Sequence, residues 1–107
     1  MHRAPLIAKT DDIEVLYFDS HLTGDSSFAG LLIYSGVVCV RTIARPPGAV
    51  FEFVCPAEDW KIYEEEWNSG PVAVADAKAY ASALMMIYNY RSSARKSPSG
   101  EFIARRL

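Results

Sequence analysis

Cysteine is scarce in this sequence of 107 residues, and Cys39 and Cys55 are the only two. Both lie within or at the end of apolar segments, whereas small secreted domains usually depend on several cysteines paired in disulfides. No apolar run reaches the roughly 18–20 residues that a membrane-spanning helix requires, and the N-terminus lacks the pattern of a signal peptide. We therefore expect a soluble protein of a reducing compartment such as the bacterial cytoplasm, with both thiols buried as small apolar side chains.

The motifs by which many enzymes are recognised are also missing. No pair of glycines has the spacing of a phosphate-binding or dinucleotide-binding loop, and the two histidines and two cysteines are too scattered for a zinc pattern. We predict no metal, no cofactor and no enzymatic activity. The nearest approach to a metal cluster is Asp19, His21 and Asp25, and the least supported interpretation is an enzyme in which a cysteine acts with His21 as base.

What the sequence does contain is the composition of one compact domain, with 50% hydrophobic and 22% charged residues. A chain of this length buries a single core without disulfides or a structural metal. Its charge is uneven, because residues 1–90 hold six Lys or Arg against twelve Asp or Glu, and residues 91–107 hold five against one. An acidic body and a basic end present two different surfaces to partners.

Segments rich in β-branched and aromatic residues predict four strands, over residues 13–18, 28–35, 37–45 and 49–54. Gly36 fits a tight hairpin with a positive φ, and Pro47 and Gly48 fit the central positions of a type II turn. The polar residues 19–27 are predicted to form a loop. These features together predict an antiparallel meander.

Two helices are predicted after the strands. Trp60, Tyr63 and Trp67 recur at helical spacing within residues 57–67, although an alternating strand over residues 60–67 is an alternative. A longer helix is predicted from Asp76, as N-cap, to residue 96. The fold class is therefore α+β, a two-layer domain in which a four-stranded antiparallel sheet is covered on one face by one short and one long helix. Residues 1–12 are predicted as an arm, residues 13–96 as the single domain and residues 97–107 as a basic tail or edge strand.

The short helix combines carboxylates with aromatic residues, which predicts a partner-binding surface of Glu58, Asp59, Trp60, Glu64, Glu65, Glu66 and Trp67. Aromatic anchors supply affinity, and charges steer association. We predict a non-enzymatic binding protein, monomeric or homodimeric, that blocks or bridges a larger protein or nucleoprotein complex. Phage and mobile-element inhibitors such as anti-CRISPR proteins have this size and composition. The competing interpretation is that both tryptophans and Tyr63 are simply the core face of the helix.

The basic end supports an alternative function, a domain that binds single-stranded nucleic acid. Its cations would contact phosphates while its aromatic rings stack on bases. The acidic body and an isoelectric point near 5.6 count against this alternative. The residues that would carry it are Arg41, Arg45, Tyr88, Tyr90, Arg91, Arg95, Lys96, Arg105 and Arg106.

Overall fold

The computed structural model describes residues 19–104 in full and, before them, only the backbone of three two-residue strands. The rest of the predicted arm and of the predicted strand over residues 13–18 lies outside the described residues. In chain order the elements are β1 (His2–Arg3), β2 (Ala8–Lys9), β3 (Val15–Leu16), β4 (Asp19–Thr23), α1 (Ser26–Tyr34), β5 (Val38–Arg45), β6 (Gly48–Cys55), α2 (Ala57–Asn68), α3 (Ala77–Lys96) and β7 (Glu101–Ile103).

The main sheet is antiparallel and has the strand order β1-β4-β6-β5-β7, while β2 pairs separately with β3. The predicted α+β class, with an antiparallel sheet covered by helices, is confirmed. The order differs from a simple meander, because β4 pairs with β6 rather than with the next strand along the chain. The helix α1 separates β4 from β5, so the chain crosses over the sheet before it enters the β5–β6 hairpin.

The prediction of a strand over residues 28–35 is wrong, because residues 28–34 belong to the helix α1. The side chain of Asp25 is the N-cap, and its Oδ1 accepts hydrogen bonds from the amides of Ser27 at 3.0 Å and Phe28 at 3.1 Å. The seven residues from Phe28 to Tyr34 are nearly all apolar, and periodicity alone does not distinguish a buried helix from a buried strand in so short a run. The cap at Asp25 is the local signal that decides for a helix.

Gly36 has the predicted positive φ, of +90°, but it ends α1 instead of forming a hairpin. Its amide donates to the carbonyl of Ile33, and the amide of Val37 donates to that of Leu32 at 2.9 Å. This pair of bonds is a Schellman motif, in which a glycine in the left-handed region closes the last helical turn. The positive φ predicted for Gly36 is therefore required by the end of a helix and not by a hairpin turn.

The prediction of a polar loop over residues 19–27 is also wrong in part, because residues 19–23 form the strand β4. Its residues pair along their whole length with β6, so that His21 lies opposite Phe53 and Thr23 lies opposite Phe51. His21 points into the core, where it is 4% exposed, while Leu22 on the other face is exposed. Pairing with a strongly apolar neighbouring strand overrides the weak strand propensity of this sequence.

The β5–β6 connection consists of two residues, Pro46 and Pro47, joined by a cis peptide bond. A cis proline at the third position is the geometry of a type VI turn, so the predicted type II turn is wrong. Gly48 does not have a positive φ and instead begins β6, paired with Arg45.

The core lies between the three described helices and one face of the sheet. Every second residue of β6 points to that face, and these residues are Ala49, Phe51, Phe53 and Cys55, all buried. The helices α1 and α3 pack against each other and against β5. The main helical contributions to this core are Phe28, Ala29, Leu31, Leu32, Trp60 and Ile87.

The helix predicted over residues 57–67 is confirmed as α2, so the strand alternative is wrong. The helix α3 begins as predicted, because the Asp76 side chain accepts from the amide of Ala79 at 3.0 Å. Beyond α3, Glu101–Ile103 pairs with β5 as the edge strand β7. None of the helices in the described stretch has the length and apolar character needed to cross a membrane.

Candidate partner-binding surface

The inner side of α2 is held in the core by Trp60. This ring is 6% exposed and stacks on His21, with centroids 4.6 Å apart and planes 5° from parallel. The Phe28 ring packs against it at an interplanar angle of 70°, with centroids 5.4 Å apart. Trp60, one of the predicted partner contacts, is therefore not available to a partner and instead fixes the position of α2.

Trp67 and Tyr63 lie at the margin of the same core. Trp67 is half-buried against Phe28, and its indole N–H donates to Oδ2 of Asp25 at 3.2 Å. Burial, with the nearby Asp59 carboxylate as a further cause, raises the pKa of the Tyr63 hydroxyl. The competing interpretation is therefore correct for Trp60, while Trp67 presents part of its ring to solvent.

The outer side of α2 is an exposed isoleucine surrounded by carboxylates. Ile62 is 59% exposed. Residues three and four positions away on a helix are its surface neighbours, and those neighbours are Glu58, Asp59, Glu65 and Glu66, all exposed. We call these five residues the Ile62 face. Its only described ion pair is the exposed contact of 4.0 Å between Lys61 and Glu65.

Ile62 is the residue that the sequence-based prediction missed. The signal was present, because Ile62 lies opposite Trp60 and Trp67 on a helical projection and so cannot share their buried face. The sequence favours the aromatic residues of α2 as anchors, but the large apolar side chain that α2 exposes to solvent is Ile62. Glu64 differs from the other carboxylates, since it lies toward β4 and lines a cavity there.

Several of the predicted nucleic-acid residues that the structure describes are engaged in contacts within the protein. Arg41 lies on the outer face of the sheet, where its Nε is 3.0 Å from Glu52 and its Nη1 is 3.1 Å from Glu101. Two carboxylates thus neutralise it. Arg45 is exposed at the end of β5, and the guanidinium of Arg95 donates to the carbonyl of Pro47 in the adjoining turn.

The predicted stacking residues are also engaged. Tyr90 packs against Phe102, with centroids 5.5 Å apart, and Arg91 covers the ring of Tyr88 at 5.0 Å. Lys96 is exposed at the last residue of α3. Arg105 and Arg106 lie outside the described residues.

The residues of the cysteine–histidine and metal alternatives have structural contacts of their own. Nε2 of His21 donates to the backbone carbonyl of Cys55 at 3.1 Å, so the imidazole is bonded to main chain. Burial raises the pKa of the Cys39 thiol to about 11, and burial followed by the Asp59 charge raises that of Cys55 to about 11. Asp25 serves as a helix cap, and across residues 19–104 no three His, Cys, Asp or Glu side chains form a group that could hold a metal.

Both thiols should therefore resist alkylation in the folded protein. With a pKa of about 11, about 0.1% of either group is thiolate at pH 8, and only the thiolate reacts rapidly. We expect iodoacetamide at pH 8 to modify neither cysteine until urea unfolds the chain, as followed by intact-protein mass. Rapid modification of one cysteine in the native protein would contradict this assignment.

Comparison with known proteins gives no match, whether with protein-family models, curated proteins or solved structures. The fold and the outer surface of α2 define the class of protein. It is a small α+β domain in which one helix, anchored by a buried tryptophan, presents an apolar side chain within a ring of carboxylates.

Proposed function

We propose that the protein is a non-enzymatic binding protein of the bacterial cytoplasm, and that its Ile62 face docks on a basic surface of a larger protein or nucleoprotein complex. The observation that carries this proposal is the exposed Ile62 with four carboxylates around it. By blocking such a surface, a stoichiometric binder of this size would act as an inhibitor of the complex, as phage and mobile-element inhibitors do.

The arrangement has the physical features of an interaction site. An apolar side chain that enters a partner's pocket contributes affinity through its buried area, while a charged rim excludes wrong partners and steers the approach. The helix α2 carries five carboxylates and one lysine, so its field attracts cations. Trp60 holds the helix rigidly on the core, which lowers the entropic cost of binding.

Two substitutions on the Ile62 face should weaken capture of the partner from a bacterial lysate by the immobilised protein. Ile62→Ser removes the apolar contact, and we expect an affinity loss of roughly 10- to 100-fold, the equivalent of burying one such side chain. Glu66→Lys reverses a rim charge and should slow association most strongly at low salt. Neither change touches the core, because both side chains are exposed.

A matched control separates the Ile62 face from net charge. Ser82→Lys with Asn89→Lys adds the same two positive charges at exposed positions of α3. We expect this variant to capture the same protein as the wild type. Equal capture by all three variants would overturn the proposed surface, and so would a loss that is greatest in the α3 variant.

A second candidate function is single-stranded nucleic-acid binding at the C-terminal end of α3. The helix α3 carries four Lys or Arg and no carboxylate, and the bond from Arg95 to the Pro47 carbonyl brings it to the turn that adjoins Arg45. Fluorescence anisotropy with labelled oligonucleotides at two salt concentrations tests this candidate. Binding that weakens with salt, and is lost in a variant with Arg45, Arg95 and Lys96 changed to alanine, would support it over the first.

A further inference from the structure

A cleft lies on the other side of α2, between this helix and β4. It consists of two cavities, of about 490 Å³ and about 210 Å³, that share Leu22, Trp60 and Glu64 in their walls. We call this space the β4–α2 cleft. The smaller cavity is lined further by Asp25, Phe28 and Trp67, which places carboxylates and aromatic rings together.

The charge in the cleft is unbalanced. Glu64 makes no hydrogen bond or ion pair with the described residues, and Asp25 accepts only from amide and indole N–H groups. Among the described residues that line the cleft, Arg41 is the one Lys or Arg, and it is already bound to Glu52 and Glu101. Asp25 and Glu64 therefore attract a cation that the described residues do not supply.

Two further features of the cleft favour a cation. The partly exposed Trp67 lines the smaller cavity, and the face of an aromatic ring carries negative electrostatic potential, to which a cation is attracted. The smaller cavity also includes Asn68, the last residue of α2, where the helix dipole places partial negative charge and no basic side chain of the last turn offsets it. Glu64, Trp67 and the end of α2 act in the same direction, whereas the nearby N-terminus of α1 is already capped by Asp25.

We propose that the β4–α2 cleft binds the guanidinium group of an arginine side chain, with Glu64 and Asp25 as its counter-charges and the Trp67 ring beside it. Guanidinium is the cation that suits these walls, because it is planar, weakly hydrated, stacks on aromatic rings and donates several hydrogen bonds to carboxylates. This inference rests on the proposed function, in that the arginine belongs to the same basic partner that the Ile62 face contacts.

The test is an NMR titration of the full chain with N-acetyl-arginine amide. Its two tryptophans both line the cleft, so their indole N–H resonances report directly on occupancy. N-acetyl-citrulline amide, added with salt to equal ionic strength, is the neutral ligand of the same shape. We expect the arginine probe to shift both indole resonances and the citrulline probe to shift neither.

Two glutamine variants on α2 test which carboxylate binds the arginine side chain. Glu64→Gln should weaken arginine binding about tenfold, the effect of about 1.4 kcal/mol. Glu65→Gln, on the outer side of the same helix, should change it less than twofold. Equal shifts with citrulline, shifts confined to residues outside the cleft, or equal weakening by both variants would each overturn the assignment.

The outcomes distinguish this inference from the proposed function. If arginine fails to bind in the cleft while Ile62→Ser and Glu66→Lys weaken capture, the cleft assignment is wrong and the Ile62 face stands. If arginine binds in the cleft while those variants capture normally, the Ile62 face is wrong and the cleft stands as a separate site for arginine.

Discussion

Trp60→Ala should lower the free energy of unfolding by about 3–5 kcal/mol, the cost of removing a large aromatic side chain from a core. The ring contacts His21, Phe28 and Phe53, which belong to β4, α1 and β6. Its loss would leave a cavity where three elements meet and would detach α2. Since small domains are stable by roughly 5–15 kcal/mol, this one substitution removes a large fraction of the total.

Urea unfolding followed by circular dichroism measures this effect, and the fluorescence of Trp67 gives a second probe. Ile62→Ala is the matched control, because it truncates an exposed apolar residue of the same helix. We expect the control to change stability by less than about 0.5 kcal/mol. A loss below about 1 kcal/mol for Trp60→Ala would show that this ring does not anchor α2.

The second large effect is expected at Gly30, where the backbone of α1 lies against Leu84 of α3. A Cβ atom on Gly30 would lie 2.6 Å from Cδ2 of Leu84 and 3.2 Å from its Cγ. Gly30→Val should therefore push the two helices apart and destabilise the protein by about 1–3 kcal/mol, as overpacking does. Thermal or urea unfolding of the variant measures the loss.

Two further variants test whether crowding is the cause. Gly24→Val is the control, because a Cβ there meets only the carbonyl oxygen of Ala49, at 3.7 Å. Leu84→Ala removes the side chain that Gly30→Val strikes, so the double variant should be more stable than the sum of the two losses indicates. Strictly additive losses would exclude direct crowding between these two residues.

The sequence allowed the fold class and the later elements to be predicted because their signals are local. Asp76 is an N-cap followed by a long run of helix-forming residues, and Trp60 and Trp67 recur at helical spacing. The strand β4 could not be predicted in this way, since its polar residues are extended only by pairing with β6. The helix α1 was missed because its run is apolar on every side, and only Asp25 and Gly36 mark its ends.

The candidate surface was predicted on the correct helix but with the wrong anchor. Composition identified the carboxylates of α2, and all five are exposed. It favoured tryptophan as the contact residue, whereas the packing of α2 on the core turns Trp60 inward and Ile62 outward. Which apolar side chain of a helix remains exposed depends on the other elements it packs against, and those lie far away in sequence.

The helices α2 and α3 have opposite charges, which matters for the choice between functions. The helix α2 has five carboxylates and one lysine, and α3 has four cations and no carboxylate. Ile62 and Met85 give each helix an apolar residue with the same exposed fraction, 59%. These two positions therefore form a matched pair for comparing the helices as binding surfaces.

Site-specific photo-crosslinking at residues 62 and 85 tests the central claim most directly. Benzoyl-phenylalanine replaces Ile62 in one variant and Met85 in the other, and each is irradiated in bacterial lysate with excess unlabelled competitor protein. We predict a discrete adduct from position 62 alone, suppressed by wild-type competitor and suppressed less by the same concentration of the Glu66→Lys variant. An adduct from position 85 of equal yield, or suppression by both competitors alike, would contradict the assignment of the Ile62 face as the binding surface.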